Sequence, residues 1–384
     1  MWTIFHTEAS LGWGGQEIRV LNECLGMKSR GHRPVIISEE DSGIFQKARQ
    51  AGIETIPVSF SRKDYPASLV MLVKAIRNFR PDVVNTHSSR DSWLASAAAM
   101  LVRPRPLIIR TRHISTPVST GLASSIIYRH APDCIVTTSE AIRERLININ
   151  RVEPGRAVSI PTGIDMGAFD PELGYPDLRA ELGVPASAPL IGMVSVLRSW
   201  KGHDCFIDAA ALVKKTHPEA CFIIAGSGPR EEYISKKIAS SGLEKTVLML
   251  GHRNDVPMVL SSLDVFVQPS YANEGVPQSI VQAMAMKVPV AASGLPSFLE
   301  IVEDRNTGLL FKANDARGLA ESISMLLEDR LLASRLSVNA RRLVIEGFSI
   351  EKMLDRTEAL YEGLILSKKG RTAGRSLFWK VQTR

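Results

Sequence analysis

The segment QPSYANEGVPQSIVQAMAMKVPVAASG, residues 268–294, carries the pattern that points most directly to chemistry. An apolar strand ends at Gln268, a loop rich in glycine and proline follows, and a helix starts near Pro277. The free N–H groups and positive dipole end of such a helix suit an anionic phosphate. Glu274 lies in the loop, where its carboxylate can reach sugar hydroxyls beside that phosphate, and Gln282 offers an amide two turns along the helix. The alternative is an ordinary α/β helix with incidental acids in its loop.

A second group of charges follows the strand predicted over residues 190–196. The sequence VSVLRSWKGH places Arg198 and Lys201 in the loop between that strand and the next helix. Two cations there can neutralise the pyrophosphate of a leaving nucleoside diphosphate. The alternative is a solvated loop, since any loop of this kind can carry charges. After the following strand, Gly226 and Gly228 permit a ligand to approach the backbone closely.

The first strand of the N-terminal half leads into a glycine-rich turn. The sequence GWGGQE contains Gly14 and Gly15 and opens a helix. Such a turn can bind phosphate, so an NAD-dependent dehydrogenase is an alternative function. The match to GxGxxG fails at its third glycine, where Glu17 stands. Glu39 and Glu40 keep the alternative open, because an acid after the second strand can bind a ribose.

Two histidines in the N-terminal half each follow a short β-branched strand. His87 stands in NTHS and His113 in RTRH, and both strand ends are expected to face a ligand cleft. Each histidine is either part of a site or a structural core residue. Three arginines accompany them, namely Arg90, Arg110 and Arg112. These arginines either meet an anionic acceptor or are solvated charges.

Strands and helices alternate in both halves of the chain, which predicts two doubly wound parallel sheets of the α/β class. Proline and glycine interrupt the pattern between about 166 and 189, which indicates a linker. Ligands of such folds bind at the carboxyl ends of the strands. The predicted order is a Rossmann-like acceptor-binding domain over 1–168, a linker over 169–189, a Rossmann-like nucleotide-sugar-binding domain over 190–349, a helix over 350–367 that crosses back to the first domain, and a basic tail over 368–384.

Composition narrows the class of protein. The chain has 384 residues and a net charge of +7, of which the tail over 368–384 supplies six charges and the rest only one. Basic residues around Leu377, Phe378 and Trp379 suit an anionic membrane surface, and a disordered solubilising tail is the alternative. No aromatic and basic recognition motif supports nucleic acid. The sequence has no membrane-length apolar run, and we expect no signal peptide. Four scattered cysteines indicate buried thiols in a reducing compartment.

The motifs together resemble those of glycosyltransferase family 4. In that family a glutamate, seven residues and a second glutamate frame a nucleotide sugar, and here Glu274 and Gln282 hold those positions. An amide therefore replaces the acid that binds the ribose. The family's arginine and lysine at the diphosphate resemble Arg198 and Lys201, although that arginine commonly lies two residues earlier. The matches run in family order through most of the chain.

The resemblance implies roles for the candidate residues. His113 would contact the donor sugar beside the reacting centre, and Arg253 lies in the segment that holds the nucleobase. The residues implied in catalysis are His113, Glu274, Arg198 and Lys201. The residues implied in donor binding are Gly14, Gly15, Gly226, Gly228, Arg253, Gly275, Val276, Pro277, Gln282 and Glu300. The residues implied in acceptor binding are Glu17, His87, Arg90, Arg110 and Arg112.

The family also implies a fold and a reaction. The fold is GT-B, in which two Rossmann-like domains face each other across a cleft, and the reaction is a retaining transfer of a sugar from a nucleotide-diphosphate donor. No cofactor and no metal are expected, and the sequence holds no Asp-x-Asp pair. The expected acceptor is a cell-envelope glycan such as a lipopolysaccharide core or a lipid-linked sugar. The expected location is the cytoplasm, with peripheral contact at the inner face of the membrane.

Two further alternatives remain. An inverting transferase or a nucleotide-sugar epimerase of the same fold would need a base supplied by the enzyme. The amide of Gln282 in place of an acid raises the third possibility, a nucleotide-sugar binding protein without catalytic activity. Turnover or hydrolysis of the donor separates the last alternative from an enzyme.

Overall fold

The computed structural model describes residues 1–272 and 274–372, which fold into two compact units. The first unit comprises residues 1–113, 117–162 and the C-terminal segment from Ile350, and the second comprises 114–116 and 163–349. Each unit is built around one sheet whose strand pairs are all parallel. The predicted α/β class with two doubly wound parallel sheets is confirmed.

The sheet of the first unit has seven strands in the order β3-β2-β1-β4-β5-β6-β7. The strands are β1 (Thr3–Glu8), β2 (Arg33–Ser38), β3 (Glu54–Pro57), β4 (Val83–Thr86), β5 (Leu107–Arg112), β6 (Cys134–Thr137) and β7 (Ala157–Ser159). The helices between them are α1 (Gly15–Ser29), α2 (Gly43–Gln50), α3 (Tyr65–Phe79), α4 (Ser89–Met100), α5 (Leu122–Ser125) and α6 (Glu140–Asn148).

The sheet of the second unit has six strands in the order β10-β9-β8-β11-β12-β13. The strands are β8 (Leu190–Val194), β9 (Cys221–Ala225), β10 (Val247–Gly251), β11 (Val265–Gln268), β12 (Val290–Ser293) and β13 (Leu309–Phe311). The helices are α7 (Leu178–Leu182), α8 (His203–Val213), α9 (Glu231–Ser240), α10 (Val256–Ser261), α11 (Gln278–Ala285), α12 (Ala316–Glu328) and α13 (Arg330–Gly347). Short 3₁₀ or π turns cover Arg62–Asp64, Ile126–His130, Pro154–Arg156, Pro171–Leu173 and Ser199–Lys201.

The last helix, α14 (Ile350–Thr372), belongs to the first unit and packs on α1. Its Tyr361 is fully buried there. The helix runs five residues beyond the end predicted at 367. The remainder of the predicted basic tail, residues 373–384, lies outside the described residues.

The boundary between the units follows Thr162, six residues before the predicted end of the first domain. The residues predicted as a linker, 169–189, lie within the second unit. Leu178, in the middle of that stretch, is fully buried in the core of the second unit. Proline and glycine make the backbone of this stretch irregular, but it still packs into the core of the second unit.

Alternate residues of each strand enter different cores. Phe5 and Val84 belong to one apolar cluster of the first unit, whereas their neighbours Ile4 and Val83 belong to another. A parallel strand with both faces covered must be apolar along its length, so its polar side chains can stand only near its ends. Both strand orders reverse beside a central pair, β1/β4 and β8/β11, where ligands of such sheets bind.

The described helices are all too short or too polar to cross a membrane. The four cysteines are free and buried, as predicted.

Gly202 offers a test of how tightly the second unit is packed at the β8/β11 reversal. Its φ is +79°, and an added Cβ would lie 1.9 Å from the Pro269 carbonyl oxygen. Gly242 has a φ of +64° and open space around the same position. We expect Gly202→Ala to destabilise the unit by about 3 kcal/mol or more, and Gly242→Ala by only about 1 kcal/mol, the cost of the left-handed backbone.

Thermal unfolding of the two variants beside the wild type measures this difference. Equal falls in the unfolding midpoint would show that Gly202 is needed for its backbone angle alone, and not for the close approach of the two loops.

Candidate active site

An ion pair connects two loops at the carboxyl edge of the second sheet. The Lys201 ammonium lies 2.6 Å from Glu274 Oε1, with the Lys201 side chain 17% and the Glu274 side chain 9% exposed. Lys201 follows β8 and Glu274 follows β11, which are neighbouring strands. The loops also share a backbone hydrogen bond, in which Tyr271 donates to the Trp200 carbonyl over 2.9 Å. The sheet therefore brings together two residues that are 73 positions apart in the sequence.

A row of hydroxyl and amide groups holds Glu274 in this loop. Ser270 donates to Glu274 Oε1 over 2.9 Å, Gln268 Nε2 donates to Ser270 Oγ over 2.8 Å, and Ser279 Oγ donates to Gln268 Oε1 over 2.9 Å. The row ties the end of β11 to the first turn of α11. A buried carboxylate is tolerated because it has both a counter-charge and a hydrogen-bond donor.

Arg198 is placed differently from Lys201. It is exposed, and its guanidinium lies 5.4 Å from the centre of the Trp200 ring. Of the two cations predicted at a diphosphate, only Lys201 is paired with Glu274.

The start of α11 presents backbone donors near this ion pair. Gly275, Val276 and Pro277 are buried and lead into the helix, whose N-cap residue is Pro277. Gln282 lies half-buried in the second turn. The predicted order of loop, helix start and Gln282 is the one that the structure contains.

The glycines after β9 are required by packing between loops. An added Cβ at Gly226 would lie 1.9 Å from the Ser195 carbonyl oxygen, and one at Gly228 would lie 2.8 Å from the Leu197 backbone. Both have positive φ, at +144° and +159°. The sequence predicted that these two glycines let a ligand approach the backbone closely. In the structure they let the loop after β8 approach it closely.

Two other residues predicted to bind the donor, Arg253 and Glu300, have different surroundings. Arg253 is held between Glu181 at 2.5 Å and Asp255 at 2.6 Å, which raises the pKa of its guanidinium. Glu300 lines a cavity of about 500 Å³ together with Asn306 and Arg342. Neither the Lys201 loop nor the Glu274 loop contributes to that cavity.

In the first unit, three histidines stand in a row at the carboxyl ends of adjacent strands. His6 Nδ1 lies 3.0 Å from His87 Nε2, and His87 Nδ1 lies 3.0 Å from His113 Nε2. His6 and His87 are buried, whereas His113 is half-buried. Burial lowers the pKa of all three imidazoles, and Arg19 contributes to each shift. The rings are therefore neutral near pH 7.

The arginines of the first unit have three different environments. Arg110 is buried, donates to the Tyr128 hydroxyl over 2.9 Å and lies over its ring at 4.4 Å, so it is not a solvated charge. Arg112 is also hydrogen-bonded to Tyr128, and burial lowers its pKa. Arg90 is exposed and donates to the Ala9 carbonyl over 3.4 Å.

The glycine-rich turn uses its acid to cap a helix. Gly14 is the N-cap of α1, Gly15 is its first residue, and the Glu17 carboxylate accepts the Gly14 N–H over 2.9 Å. This capping box satisfies a free helix N–H group. Glu17, predicted to bind the acceptor, is buried and engaged in the cap.

Sequence reasoning missed several polar residues that the fold brings to this edge, among them His6, Glu8, Glu23 and Asp91. Glu8, the last residue of β1, is fully buried, and its pKa is raised to about 8 by burial and by nearby Asp91. The signal available was the sequence HTE at the end of an otherwise apolar strand.

The two doubly wound parallel sheets are those of the GT-B fold, which a solved glycosyltransferase structure from Rickettsia africae shares with this chain at a TM-score of 0.84 and 22% identity, over 95% of this chain and 98% of that one. The family model of glycosyltransferase family 4 matches residues 13–167, and the model of glycosyl transferases group 1 matches residues 175–343. The chain belongs to glycosyltransferase family 4 and is a glycosyltransferase.

Two relatives and one solved structure illustrate the likeness. The UDP-Gal:alpha-D-GlcNAc-diphosphoundecaprenol alpha-1,3-galactosyltransferase of Escherichia coli is 29% identical over 313 residues, which cover 78% of this chain and 80% of the relative. The lipopolysaccharide core biosynthesis mannosyltransferase LpsB of Rhizobium meliloti is 29% identical over 210 residues, covering 53% of this chain and 60% of the relative. Alr3699/HepE of Anabaena, in complex with UDP-glucose, shares the fold with a TM-score of 0.84 at 21% identity, over 94% of this chain and 100% of that one.

The raised pKa of Glu8 predicts how stability depends on pH. The pKa is about 8 in the folded chain against a reference value of 4.5. The contribution of Glu8 to stability is therefore fully present below about pH 4.5 and is lost as the pH rises through 8. We expect Glu8→Gln to be more stable than the wild type at about pH 8, by on the order of 2–4 kcal/mol, and to lose this advantage near pH 5.

Thermal unfolding from about pH 5 to pH 8.5 checks this expectation. Glu232→Gln, which changes an exposed carboxylate on α9, is the matched control and should track the wild type at every pH. A Glu8→Gln curve parallel to the wild-type curve would contradict the buried, protonated carboxyl.

Proposed function

We propose that this chain transfers a sugar from a nucleotide-diphosphate donor to a hydroxyl of a lipid-linked or lipopolysaccharide-core glycan, with retention of configuration and without a metal ion. The observation that carries the proposal is the Lys201–Glu274 ion pair, with its buried carboxylate, in the loop that leads into the start of α11. Family membership supports the reaction class, and the names of the relatives support the substrates.

The donor would bind by exchanging partners with this ion pair. The diphosphate oxygens are anionic and can replace the Glu274 carboxylate as the partner of Lys201, because both bind an ammonium in the same way. Backbone N–H groups at the start of α11 add positive potential at the same place. Glu274, released from Lys201, then accepts hydrogen bonds from hydroxyls of the sugar.

The transfer would need little from the protein besides charge and position. The acceptor hydroxyl attacks the anomeric carbon on the face from which the diphosphate leaves, so that one C–O bond breaks and another forms on the same side. The hydroxyl proton passes to the departing phosphate oxygen. Lys201 and the α11 N-terminus stabilise the negative charge on the leaving group, which is the task that a divalent cation performs in other enzymes.

The names of two relatives support the proposed acceptor. The E. coli relative is named for a sugar on diphosphoundecaprenol, and the R. meliloti relative is named for the lipopolysaccharide core. Both names refer to glycans that are linked to lipids. An acceptor of this kind places the protein at a membrane surface while it works.

A donor screen with matched variants tests the proposal. Thermal shift and donor hydrolysis are measured for common nucleotide sugars, with EDTA present, on the wild type, Lys201→Ala and Glu274→Ala. We expect one donor to stabilise the wild type and to be slowly hydrolysed. Loss of the Lys201 charge or the Glu274 carboxylate should cost at least about 100-fold in kcat/KM, because each acts on charge or hydroxyls at the reacting centre.

The exposed pair Lys236–Glu232 on α9 provides matched controls, since its two side chains are 75% and 83% exposed. Lys236→Ala and Glu232→Ala should keep wild-type hydrolysis. Stabilisation without hydrolysis or transfer would instead favour a nucleotide-sugar binding protein, in line with Gln282. A product of inverted configuration, or activity abolished by EDTA, would refute the retaining, metal-independent transfer.

Removal of basic charges near the end of the chain tests the proposed membrane contact. We expect the full chain to bind vesicles that contain anionic lipid, and a full-length variant with Arg375, Lys380 and Arg384 changed to Gln to bind them more weakly, by about 1 kcal/mol per charge removed. Vesicle flotation at two salt concentrations measures this. Equal binding by the two proteins would place the membrane contact elsewhere or remove it.

A further inference from the structure

The three histidines of the first unit can share their protons in only two ways. Each N···N contact of 3.0 Å needs one N–H and one lone pair, and each neutral ring carries one N–H. If His6 carries its proton on Nε2, then His87 and His113 must also carry theirs on Nε2. If His6 carries it on Nδ1, all three carry it on Nδ1. The tautomer of His6 therefore decides the tautomer of His113.

The groups around the rings keep them neutral. His6 is fully buried, His87 is nearly so, and the row stacks closely, with His6 and His87 ring centres 5.3 Å apart. The cations of Arg19, Arg110 and Arg112 lie near the row and oppose a further positive charge. In a row of neutral rings, the tautomer of each histidine therefore sets the tautomer of the next.

The far end of the row faces a carboxylate. His6 Nε2 lies 3.9 Å from Glu23 Oε1 on α1, and this nitrogen is buried without a hydrogen-bond partner among the described residues. Glu23 accepts a hydrogen bond from the Tyr361 hydroxyl over 3.2 Å and lies one turn after the buried Arg19 guanidinium. The carboxylate thus has a donor and a nearby counter-charge.

The sign of the interaction selects one of the two arrangements. An N–H on His6 Nε2 points its positive end at the Glu23 carboxylate, whereas a lone pair there would face negative charge in a site that excludes water. Because the effective dielectric is low inside the unit, this difference is large compared with the intrinsic preference of imidazole.

We infer that Glu23, acting through His6 and His87, fixes His113 as the Nε2–H tautomer, so that its Nδ1 presents a lone pair to a sugar hydroxyl. The residues Glu23, His6 and His87 are positioning residues for His113. The inference rests on the proposed function for its substrate, but the tautomers themselves do not depend on it. His113 then distinguishes a substrate with a hydroxyl donor at that position from one without.

Nitrogen NMR of the imidazoles tests the relay directly. The protein, labelled with ¹⁵N-histidine, contains eight histidines, and single substitutions assign the three in the row. Protonated and unprotonated ring nitrogens have well-separated ¹⁵N shifts. We expect the wild type to show Nε2–H on His6, His87 and His113, with an unprotonated Nδ1 on His113.

Two variants separate the carboxylate from the packing around it. Glu23→Gln keeps the shape but can present either an oxygen or an N–H to His6, so a measurable share of all three rings should change to Nδ1–H. Tyr361→Phe removes the other group on Glu23 but keeps the carboxylate, so the tautomers should stay as in the wild type. With an active donor, Glu23→Gln should lower kcat/KM by about three- to tenfold, the effect of a misdirected neutral hydrogen bond, and should lower the preference for a hydroxylated over a deoxy sugar.

Either of two results overturns the inference: Nδ1–H on His113 in the wild type, or tautomers unchanged in Glu23→Gln. If Glu23→Gln does not fold, the wild-type spectrum still tests the predicted tautomers. Because the spectra need no nucleotide sugar, they also separate this inference from the proposed function. The expected tautomers in a protein without transferase activity would refute only the function, and an active transferase with the opposite tautomers would refute only the relay.

Discussion

Burial of the parallel strands on both faces is the constraint from which the rest of this structure follows. The middle of each central strand must be apolar, because helices cover both sides of both sheets. Within the strands, ionisable side chains therefore lie toward the ends. Residues such as Lys201 and Glu274, far apart in the sequence, meet because β8 and β11 are neighbours and end at the same edge.

The carboxylates of Glu274 and Glu23 are buried, and each has a partner that makes burial tolerable. Glu274 has Lys201 and Ser270, while Glu23 has the Tyr361 hydroxyl and lies near Arg19. Removing one partner from such a pair leaves a charge that the interior cannot solvate. In the proposed reaction, an anionic ligand takes the place of Glu274 at Lys201. In the first unit, the inferred effect of the buried Glu23 carboxylate is to fix the tautomers of the three histidines.

Gln282 and Arg198 depart from the family pattern, and Glu17 departs from the GxGxxG motif; the structure shows the surroundings of each. Gln282 retains a half-buried position in the second turn of α11, where an amide can both donate and accept. Arg198 is exposed and lies over the Trp200 ring, whereas Lys201 forms the ion pair with Glu274. Glu17 serves as a helix cap, which explains an acid in a glycine turn without invoking a ligand.

The sequence by itself determined the fold class and the alternation of strands and helices, and it placed Glu274 in a loop between a strand and a helix, because hydrophobic periodicity and turn residues are local signals. It also identified His87 and His113 as strand-end residues. Only the tertiary structure decided that His6 and Glu23 join them, that Arg110 is buried against Tyr128, and that Gly202 and Gly226 are required by neighbouring loops. These features depend on which strands lie side by side and on the distances between side chains across them. Such distances are set by packing between segments remote in the sequence, which no local pattern records.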